Sequence, residues 1–229
     1  MRNPENVLNS LQEHSAQSGY VYDRLYRNLY NRELFLQAYQ NIYASQGNMT
    51  AGTDGKTIDA MSLERIDRLI ATLKDESYQP KPSRRTYIPK KNGKLRPLGI
   101  PSIDDKLVQE VVRMLLESIY ESSFEDTSHG FRPNKSCHTA LRMIQNRFTR
   151  CKWFVEGDIK GFFDNIDHNV LLNLLSEKIK DSKFVTLIGK FLKAGYMENW
   201  EYHKTYSGTP QGGILSPILA NIYLHELDK

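Results

Sequence analysis

The chain has 229 residues, of which 39% are hydrophobic and 25% charged, an ordinary composition for a globular protein with its own core. No apolar run approaches the roughly 18 residues that a membrane helix needs, and the first residues lack the apolar segment of a secretory signal. These features exclude a membrane-spanning or secreted protein. They predict a cytoplasmic protein with no membrane partner.

The net charge of +4 is unevenly distributed along the chain. Residues 1–80 contain 8 Lys and Arg against 10 Asp and Glu, which leaves 23 against 17 for residues 81–229. Residues 81–96 alone contain seven basic side chains and no acidic one. Such a cluster favours a polyanion as partner, although a charge run by itself is as often a solvated surface.

The first part of the chain predicts helices joined by a polar loop. Apolar and aromatic residues recur three and four positions apart between Tyr22 and Ile42, as on one side of a helix. Residues 44–59 are rich in Gly, Thr, Asn and Asp and predict a loop, after which Ser62 caps another helix.

Residues 84–101 predict a basic β-hairpin. Two short extended segments flank Asn92-Gly93, a pair that tolerates the positive φ angles of a tight turn. Prolines at positions 89, 97 and 101 favour the edge of a sheet, because proline cannot donate a ladder hydrogen bond. A long helix follows, with Ser102 as its predicted cap.

The C-terminal third predicts one buried strand among helices. The sequence CKWFVEGDI, residues 151–159, has the composition of such a strand. Ser136 and Asp167 cap the helices before and after it, and Ser216 caps a last helix that begins at Pro217. We interpret both cysteines as reduced packing residues. The following histidines show no metal spacing and are interpreted as surface or cap residues: His129, His138, His168, His203 and His225.

Asp158 is the main candidate for a catalytic, metal-binding residue. An acid at the end of a buried strand is a typical Mg²⁺ ligand, and the carbonyl of Ile159 would add a second oxygen donor. Gly161 permits a turn that would present the amides of Gly161 and Phe162 to phosphate oxygens, while Phe163 would pack against a ribose.

Three residues outside this segment would complete a nucleotide site. Lys90 and Arg96 of the hairpin would close over a triphosphate, and Gln211 would hydrogen-bond the nucleotide or the template. Each part has a simpler explanation, since Asp158 alone fits a turn cap, the phenylalanines fit a core and Gly212-Gly213 fits an ordinary connection. The order of these features along the chain favours the site.

Four segments in this order resemble successive sequence blocks of the reverse transcriptases encoded by group II introns. They are RRTYIPKKNGKLRPLGIPSIDDKLVQ, HGFRPNKSCHTAL, FVEGDIKGFFDNIDH and GTPQGGILSPILANIYLHELD. The resemblance implies an α+β right-hand polymerase: fingers and a partial palm, with a helix-rich N-terminal extension, a basic β-hairpin and a small antiparallel sheet. It also implies Mg²⁺-dependent DNA synthesis on RNA, and maturase activity that assists intron splicing.

By this resemblance, Asp158 corresponds to the first metal-binding catalytic aspartate. Phe163 corresponds to the residue that packs against the sugar of the nucleotide and accepts or excludes a 2′-hydroxyl. The nucleotide-binding set becomes Lys90, Arg96, Gly161, Phe162, Phe163 and Gln211, and the metal set Asp158 and Ile159. The RNA-binding set is Arg84, Arg85, Lys91, Lys94 and Arg132. The implied partners are group II intron RNA, an RNA template with a DNA primer, and dNTP.

The predicted domains are a helical extension with the start of the fingers (1–80), the fingers with the hairpin (81–150) and a partial palm (151–229). The family's Tyr-Ala-Asp-Asp block, which holds the remaining catalytic carboxylate, does not occur in these residues, so we expect no polymerisation by this chain alone. The alternative function is a non-catalytic, RNA-binding maturase module. A palm without that block would expose apolar surface and a sheet edge, which predicts a homodimer.

Overall fold

The computed structural model describes residues 2–17, 19–90, 93–209 and 212–229. The helices are α1 (Pro4–Ser15), α2 (Arg32–Tyr43), α3 (Leu63–Lys74), α4 (Ile103–Tyr120), α5 (Cys137–Arg147), α6 (Phe162–Asn165), α7 (His168–Lys178), α8 (Ser182–Lys193) and α9 (Ser216–Asp228). The strands are β1 (Ser83–Pro89), β2 (Leu95–Ile100), β3 (Tyr196–Glu198) and β4 (Glu201–His203). The predicted α+β class, helix-rich with one small sheet, is confirmed.

Four of the five predicted helix caps are confirmed. The side chains of Ser62, Ser102, Ser136 and Asp167 each accept a hydrogen bond from a backbone N–H of the first helical turn. The prediction for α9 is wrong by one residue, because Leu215 precedes the helix and Ser216 already belongs to it. Local cap chemistry therefore sets most of the helix starts.

The sheet has the strand order β2-β1-β3-β4. Strands β1 and β2 form the predicted antiparallel hairpin, with Tyr87 opposite Pro97, and β2, which contains Pro97, lies at the edge of the sheet. Strands β3 and β4 form a second hairpin, whose first strand runs parallel to β1. The sheet is thus mixed, where the sequence predicted an antiparallel one.

The core is organised around α4. Leu107, Val111 and Leu115 lie one turn apart on this helix and have no exposed surface, and the helix packs against α1, α2 and α9. Burial of each such side chain stabilises the fold by about 1.5–3 kcal/mol. The helix that follows the hairpin is therefore a rigid support for it.

A buried carboxylate accepts hydrogen bonds from residues at both ends of the hairpin. Asp105, in the first turn of α4, accepts hydrogen bonds from Tyr78 Oη (2.5 Å) and from the backbone N–H of Lys81 (3.1 Å), both of which precede β1. It also accepts one from Ser102 Oγ (2.6 Å), just after β2. Burial raises the pKa of the Asp105 carboxyl above its usual value. These contacts fix the base from which the hairpin projects.

The prediction of a buried strand over residues 151–159 is wrong. The segment has no regular secondary structure, and Trp153, Phe154 and Val155 are exposed, Val155 completely. A strand needs a hydrogen-bonded neighbour, and no described residue pairs with this segment. An apolar composition alone therefore did not determine its structure.

Two further expectations concern the packing of the two cysteines and the lack of a membrane-spanning helix. Cys137 and Cys151 are free and exposed, so their interpretation as packing residues is wrong. None of the helices in the described part of the chain combines the length and the hydropathy that crossing a membrane requires.

Candidate nucleotide and template site

The turn that contains Phe163 is fastened to residues 207–209. The backbone N–H groups of Thr209 and Gly208 donate to the carbonyls of Phe163 (2.8 Å) and Ile166 (2.7 Å). Ser207 Oγ donates to the carbonyl of Asp164 (3.0 Å). We call this contact the 163–209 clasp. It joins two segments that the sequence assigned separately to nucleotide binding.

His168 and Gly208 complete the clasp, and sequence reasoning gave neither of them a role. His168 is only 5% exposed, and its Nε2 lies 2.7 Å from the Gly208 carbonyl oxygen. The interpretation of His168 as a surface or cap residue therefore fits only in part: it does lie in the cap region, as the first residue of α7 after Asp167, but it is buried. A Cβ on Gly208 would lie 2.5 Å from the carbonyl oxygen of Phe163, so the two backbones meet at a distance that only glycine permits.

Asp158 lies in the exposed segment just before this turn, and the backbone of Gly161 has the predicted positive φ (+63°). The Asp158 carboxylate and the Ile159 carbonyl are hard oxygen donors, which fits part of a Mg²⁺ site. Among the described residues no group of three His, Cys, Asp or Glu side chains comes together as a metal site. The donors present thus fit the ion incompletely.

Phe162 and Phe163 form a small aromatic cluster beside the clasp. Their rings are 5.6 Å apart, and Phe162 also contacts Tyr223 of α9 at 6.0 Å. Both rings are half-buried. Phe162 is thereby anchored to the body of the protein, while Phe163 lines a cavity between the clasp and the sheet.

Lys90 and Arg96 lie at the free end of the hairpin, and both are exposed. The Lys90 N–H donates to the carbonyl of Lys94 at 2.7 Å, which closes the hairpin, and Arg96 lies opposite Ile88. The hairpin therefore places two of the predicted triphosphate contacts close together. Lys91 and Gln211, also predicted contacts, lie outside the described residues.

Because successive side chains of a strand lie on opposite faces of its sheet, Arg84 and Arg85 of β1 lie on opposite faces. Arg84 donates to the Ala51 carbonyl through both Nε (3.0 Å) and NH2 (2.8 Å), which attaches the 44–59 loop to the sheet. Arg85 places its guanidinium 3.7 Å from the centre of the Tyr196 ring, a cation–π contact. Arg84 and Arg85 therefore cannot belong to one binding site.

A cleft of about 640 Å³ opens on the Arg84 face, between the sheet and the 44–59 loop. We call it the hairpin cleft. Aliphatic side chains such as Ile88 and Leu98 line it beside polar and charged ones, so it can contact both the bases and the phosphates of a nucleic-acid strand. The residues that line it include Ser45, Gly47, Asn48, Thr50, Thr86, Ile88, Leu98, Ile100, Lys106, Glu110, Arg113, Gly212 and Ile214.

Side chains of α4 fix the floor of the hairpin cleft. Lys106 Nζ donates to the Thr50 carbonyl (2.7 Å), and burial lowers the pKa of this ammonium. Gln109 accepts a hydrogen bond from the backbone N–H of Ile214 (3.1 Å), just after Gly212-Gly213. Arg113 pairs with Glu110 at 2.8 Å. The loop, the glycine turn and the hairpin are thus held to one helix.

Arg132 does not fit the predicted role of an RNA contact. Its side chain is 6% exposed, and its N–H groups donate to the Glu121 carboxylate and to the carbonyls of Glu121, Glu125 and Ser128. The guanidinium also lies 5.3 Å from the Phe124 ring. Arg132 supports the turn before α5, since its donors are used inside the protein.

Comparison with known proteins agrees with this geometry. Residues 88–229 match the family described as reverse transcriptase (RNA-dependent DNA polymerase). The group II intron-encoded protein LtrA of Lactococcus lactis subsp. cremoris is 62% identical over 210 residues, which cover 91% of this chain and 35% of that protein. This chain belongs to the reverse transcriptase (RNA-dependent DNA polymerase) family.

Other relatives share the same part of the sequence. An uncharacterised 91 kDa protein in the cob intron of Schizosaccharomyces pombe is 51% identical over 98% of this chain and 29% of its own length. Protein YkfC of Escherichia coli is 40% identical over 90% of this chain and 56% of its own length. The chain therefore spans about a third of the first two of these intron-encoded relatives and about half of YkfC.

The fold is also found in a solved structure. A chain of a partial Cas6-RT-Cas1–Cas2 complex superimposes with a TM-score of 0.59 at 22% sequence identity, over 89% of this chain and 34% of that one. At this identity the likeness concerns the fold alone. It agrees with the arrangement of fingers and palm in a reverse transcriptase.

Proposed function

We propose that this chain is the template-binding part of a group II intron reverse transcriptase, with the fingers in residues 81–150 and the start of the palm in residues 151–229. Residues 1–80 supply the helical extension and the loop over the hairpin cleft. The observation on which this depends is the basic hairpin, whose exposed Lys90 and Arg96 stand beside that cleft. A single strand of RNA needs both a basic rim for phosphates and an apolar wall for bases.

The parts of the site have complementary roles in this proposal. Template RNA lies in the hairpin cleft, against Ile88 and Leu98, while Lys90 and Arg96 bind the triphosphate of an incoming dNTP paired with it. Phe163, held by the 163–209 clasp, contacts the sugar. Mg²⁺ held by the Asp158 carboxylate and the Ile159 carbonyl would neutralise phosphate oxygens.

The same surface also suits the alternative function, recognition of structured intron RNA in splicing. The basic hairpin contacts phosphates in either case, and phosphate contacts do not depend on a catalytic metal. We propose that this chain binds RNA but does not extend a primer by itself, because one carboxylate is too few for the pair of ions used in nucleotidyl transfer.

Replacement of both hairpin cations tests the proposal. In the absence of a dNTP both cations can contact phosphates of the RNA instead of a triphosphate, so Lys90→Ala/Arg96→Ala should weaken binding of a single-stranded RNA by about tenfold at physiological salt. The slope of log affinity against log salt should fall by about 1.4, or about 0.7 for each contact. Fluorescence anisotropy with a labelled RNA at several salt concentrations measures both quantities.

The control removes the same charge from residues that do not line the hairpin cleft. Lys180→Ala/Lys193→Ala alters two exposed lysines at the ends of α7 and α8 and should leave the affinity and the salt slope unchanged. Equal losses in the two double variants would show that RNA binding depends on net charge rather than on the hairpin.

We also propose that the exposed apolar segment favours self-association. Trp153, Phe154 and Val155 form a continuous exposed apolar run without regular secondary structure, and Leu141 on α5 is exposed as well. Such a run is a template for pairing with a second chain. Light scattering at high protein concentration should give a mass above that of one chain, and Val155→Lys should restore the monomeric mass. A monomeric mass for the unaltered chain would contradict the homodimer.

A further inference from the structure

A second cavity lies on the face of the sheet opposite the hairpin cleft. It has a volume of about 280 Å³ and is enclosed by β1, β2, the start of β3 and the 204–209 segment. Arg85 and Phe163 both line it, which places it beside the clasp. We call it the Arg85 cavity. Phe163, proposed above as the sugar contact, lies at its edge, but the proposed template and triphosphate contacts use none of its other lining residues.

The cavity has an excess of positive charge. Arg85 and Lys204 line it, with Asp164 as the one acidic residue of the lining. Within the described part of the chain, the buried Nε of Arg85 has no hydrogen-bond acceptor. The guanidinium is instead held flat on the Tyr196 ring, and the other contact of that ring is His203, stacked at 4.9 Å. Arg85 is thus oriented by stacking, with its donors left for a ligand.

Thr209 provides an independent observation. The residue is 4% exposed and lines the cavity, yet its Oγ1 is buried without a partner among the described residues. A buried hydroxyl without a partner is unfavourable for folding, and native proteins contain few of them. Thr205, which lines the same cavity, donates its hydroxyl to the Leu192 carbonyl at 2.7 Å. The contrast indicates that the missing partner of Thr209 is a ligand.

The aromatic lining indicates what kind of ligand this is. Tyr196 is half-buried at the base of the cavity, and Tyr206 is almost fully exposed in its lining. Flat rings near a guanidinium and an ammonium match a nucleobase that carries a phosphate. Because ligand pockets usually start at about 300 Å³, the cavity has room for one nucleotide unit and no more.

We propose that the Arg85 cavity binds a single nucleotide unit, with Arg85 and Lys204 on the phosphate, the exposed Tyr206 ring against the base and the Thr209 hydroxyl on a polar atom of the ligand. The unit is either a free nucleotide or one nucleotide of an RNA strand that passes over the sheet. This site adds to the proposed function. Because its proposed contacts come from other residues than those of the hairpin cleft, an experiment can disprove one of the two sites and leave the other standing.

Calorimetric titration of the purified chain tests the site. The probes are AMP, adenosine, inorganic phosphate and a 5′-phosphorylated RNA trinucleotide. We expect AMP or the trinucleotide to bind, adenosine and phosphate to bind more weakly, and Arg85→Gln to weaken the bound probe at least tenfold. Lys193→Gln, an exposed lysine of α8, serves as the charge-matched control and should have no effect.

Substitution of Thr209 and of Thr205 distinguishes a ligand-binding role from a purely structural one, because the two roles predict different changes in melting temperature and in binding. Thr209→Val removes the unpaired hydroxyl at almost constant volume, so it should leave the melting temperature unchanged or higher while weakening the bound probe severalfold. Thr205→Val removes a satisfied hydroxyl and should lower the melting temperature. A drop in melting temperature for Thr209→Val with unchanged binding would overturn the assignment.

The probes distinguish the two sources of the nucleotide. AMP binding that depends on Arg85 supports a site for free nucleotides, and binding of the trinucleotide alone supports a site for one unit of a strand. The proposal is overturned if neither probe binds at millimolar concentration, or if Arg85→Gln binds as tightly as the unaltered chain. Either failure would leave the salt-dependent binding of RNA by Lys90 and Arg96 untouched.

Discussion

Gly208→Ala is expected to lower the free energy of unfolding by about 2–5 kcal/mol. The added Cβ would lie 2.5 Å from the Phe163 carbonyl oxygen and 2.9 Å from backbone atoms of Asp164, distances shorter than real Cβ atoms show, so the backbone would have to shift. Overpacking of this kind costs about 1–3 kcal/mol, and the φ of +82° adds about 1–2 kcal/mol for any residue other than glycine. The 163–209 clasp would open.

Gly55→Ala is the matched control for this substitution. Gly55 has a similar φ of +68°, but a Cβ there would meet no atom within 4 Å. It should therefore show only the backbone cost, about 1–2 kcal/mol. Urea unfolding of the three proteins measures the difference. Equal losses in the two variants would show that the close approach at Gly208 does not stabilise the fold.

Asp158→Asn should separate catalysis from RNA binding. In a protein that contains this chain together with the rest of a palm, we expect roughly a 1,000-fold loss of Mg²⁺-dependent DNA synthesis, since a neutral amide replaces a metal-binding carboxylate. In the chain described here, RNA affinity should stay within about twofold, because Asp158 is exposed and is not one of the basic residues that we propose as phosphate contacts. Primer extension on an RNA template and fluorescence anisotropy measure the two effects.

The opposite pattern would contradict this role. A loss of RNA affinity in Asp158→Asn as large as that of Lys90→Ala/Arg96→Ala would make Asp158 part of the RNA contact rather than a metal ligand. Primer extension by the isolated chain, abolished by Asp158→Asn, would show that one carboxylate with the remaining residues is sufficient.

Features set by neighbouring residues could be predicted from the sequence. The caps at Ser62 and Ser102 and the hairpin of β1 and β2 depend on contacts within a few residues, so composition and spacing indicate them directly. The family blocks likewise have fixed order, and they identified the region around Phe163 before its geometry was known.

Features that depend on distant parts of the chain could not be predicted. The 151–159 segment has the apolar composition of a strand but no partner in the described residues, and pairing rather than composition decides strand formation. His168 and Arg132 have polar side chains that contact residues 40 and 11 positions away, and no local pattern reveals such partners. The Arg85 cavity combines β1 with residues more than a hundred positions later.

Photo-crosslinking of a template RNA that contains 4-thiouridine tests most directly whether this chain is the template-binding part of the enzyme. Peptide mapping by mass spectrometry should locate the crosslinks in the hairpin, residues 83–100, and in the loop over the cleft, residues 44–55. Crosslinks confined to α7 and α8, with none in the hairpin, would contradict the placement of the template.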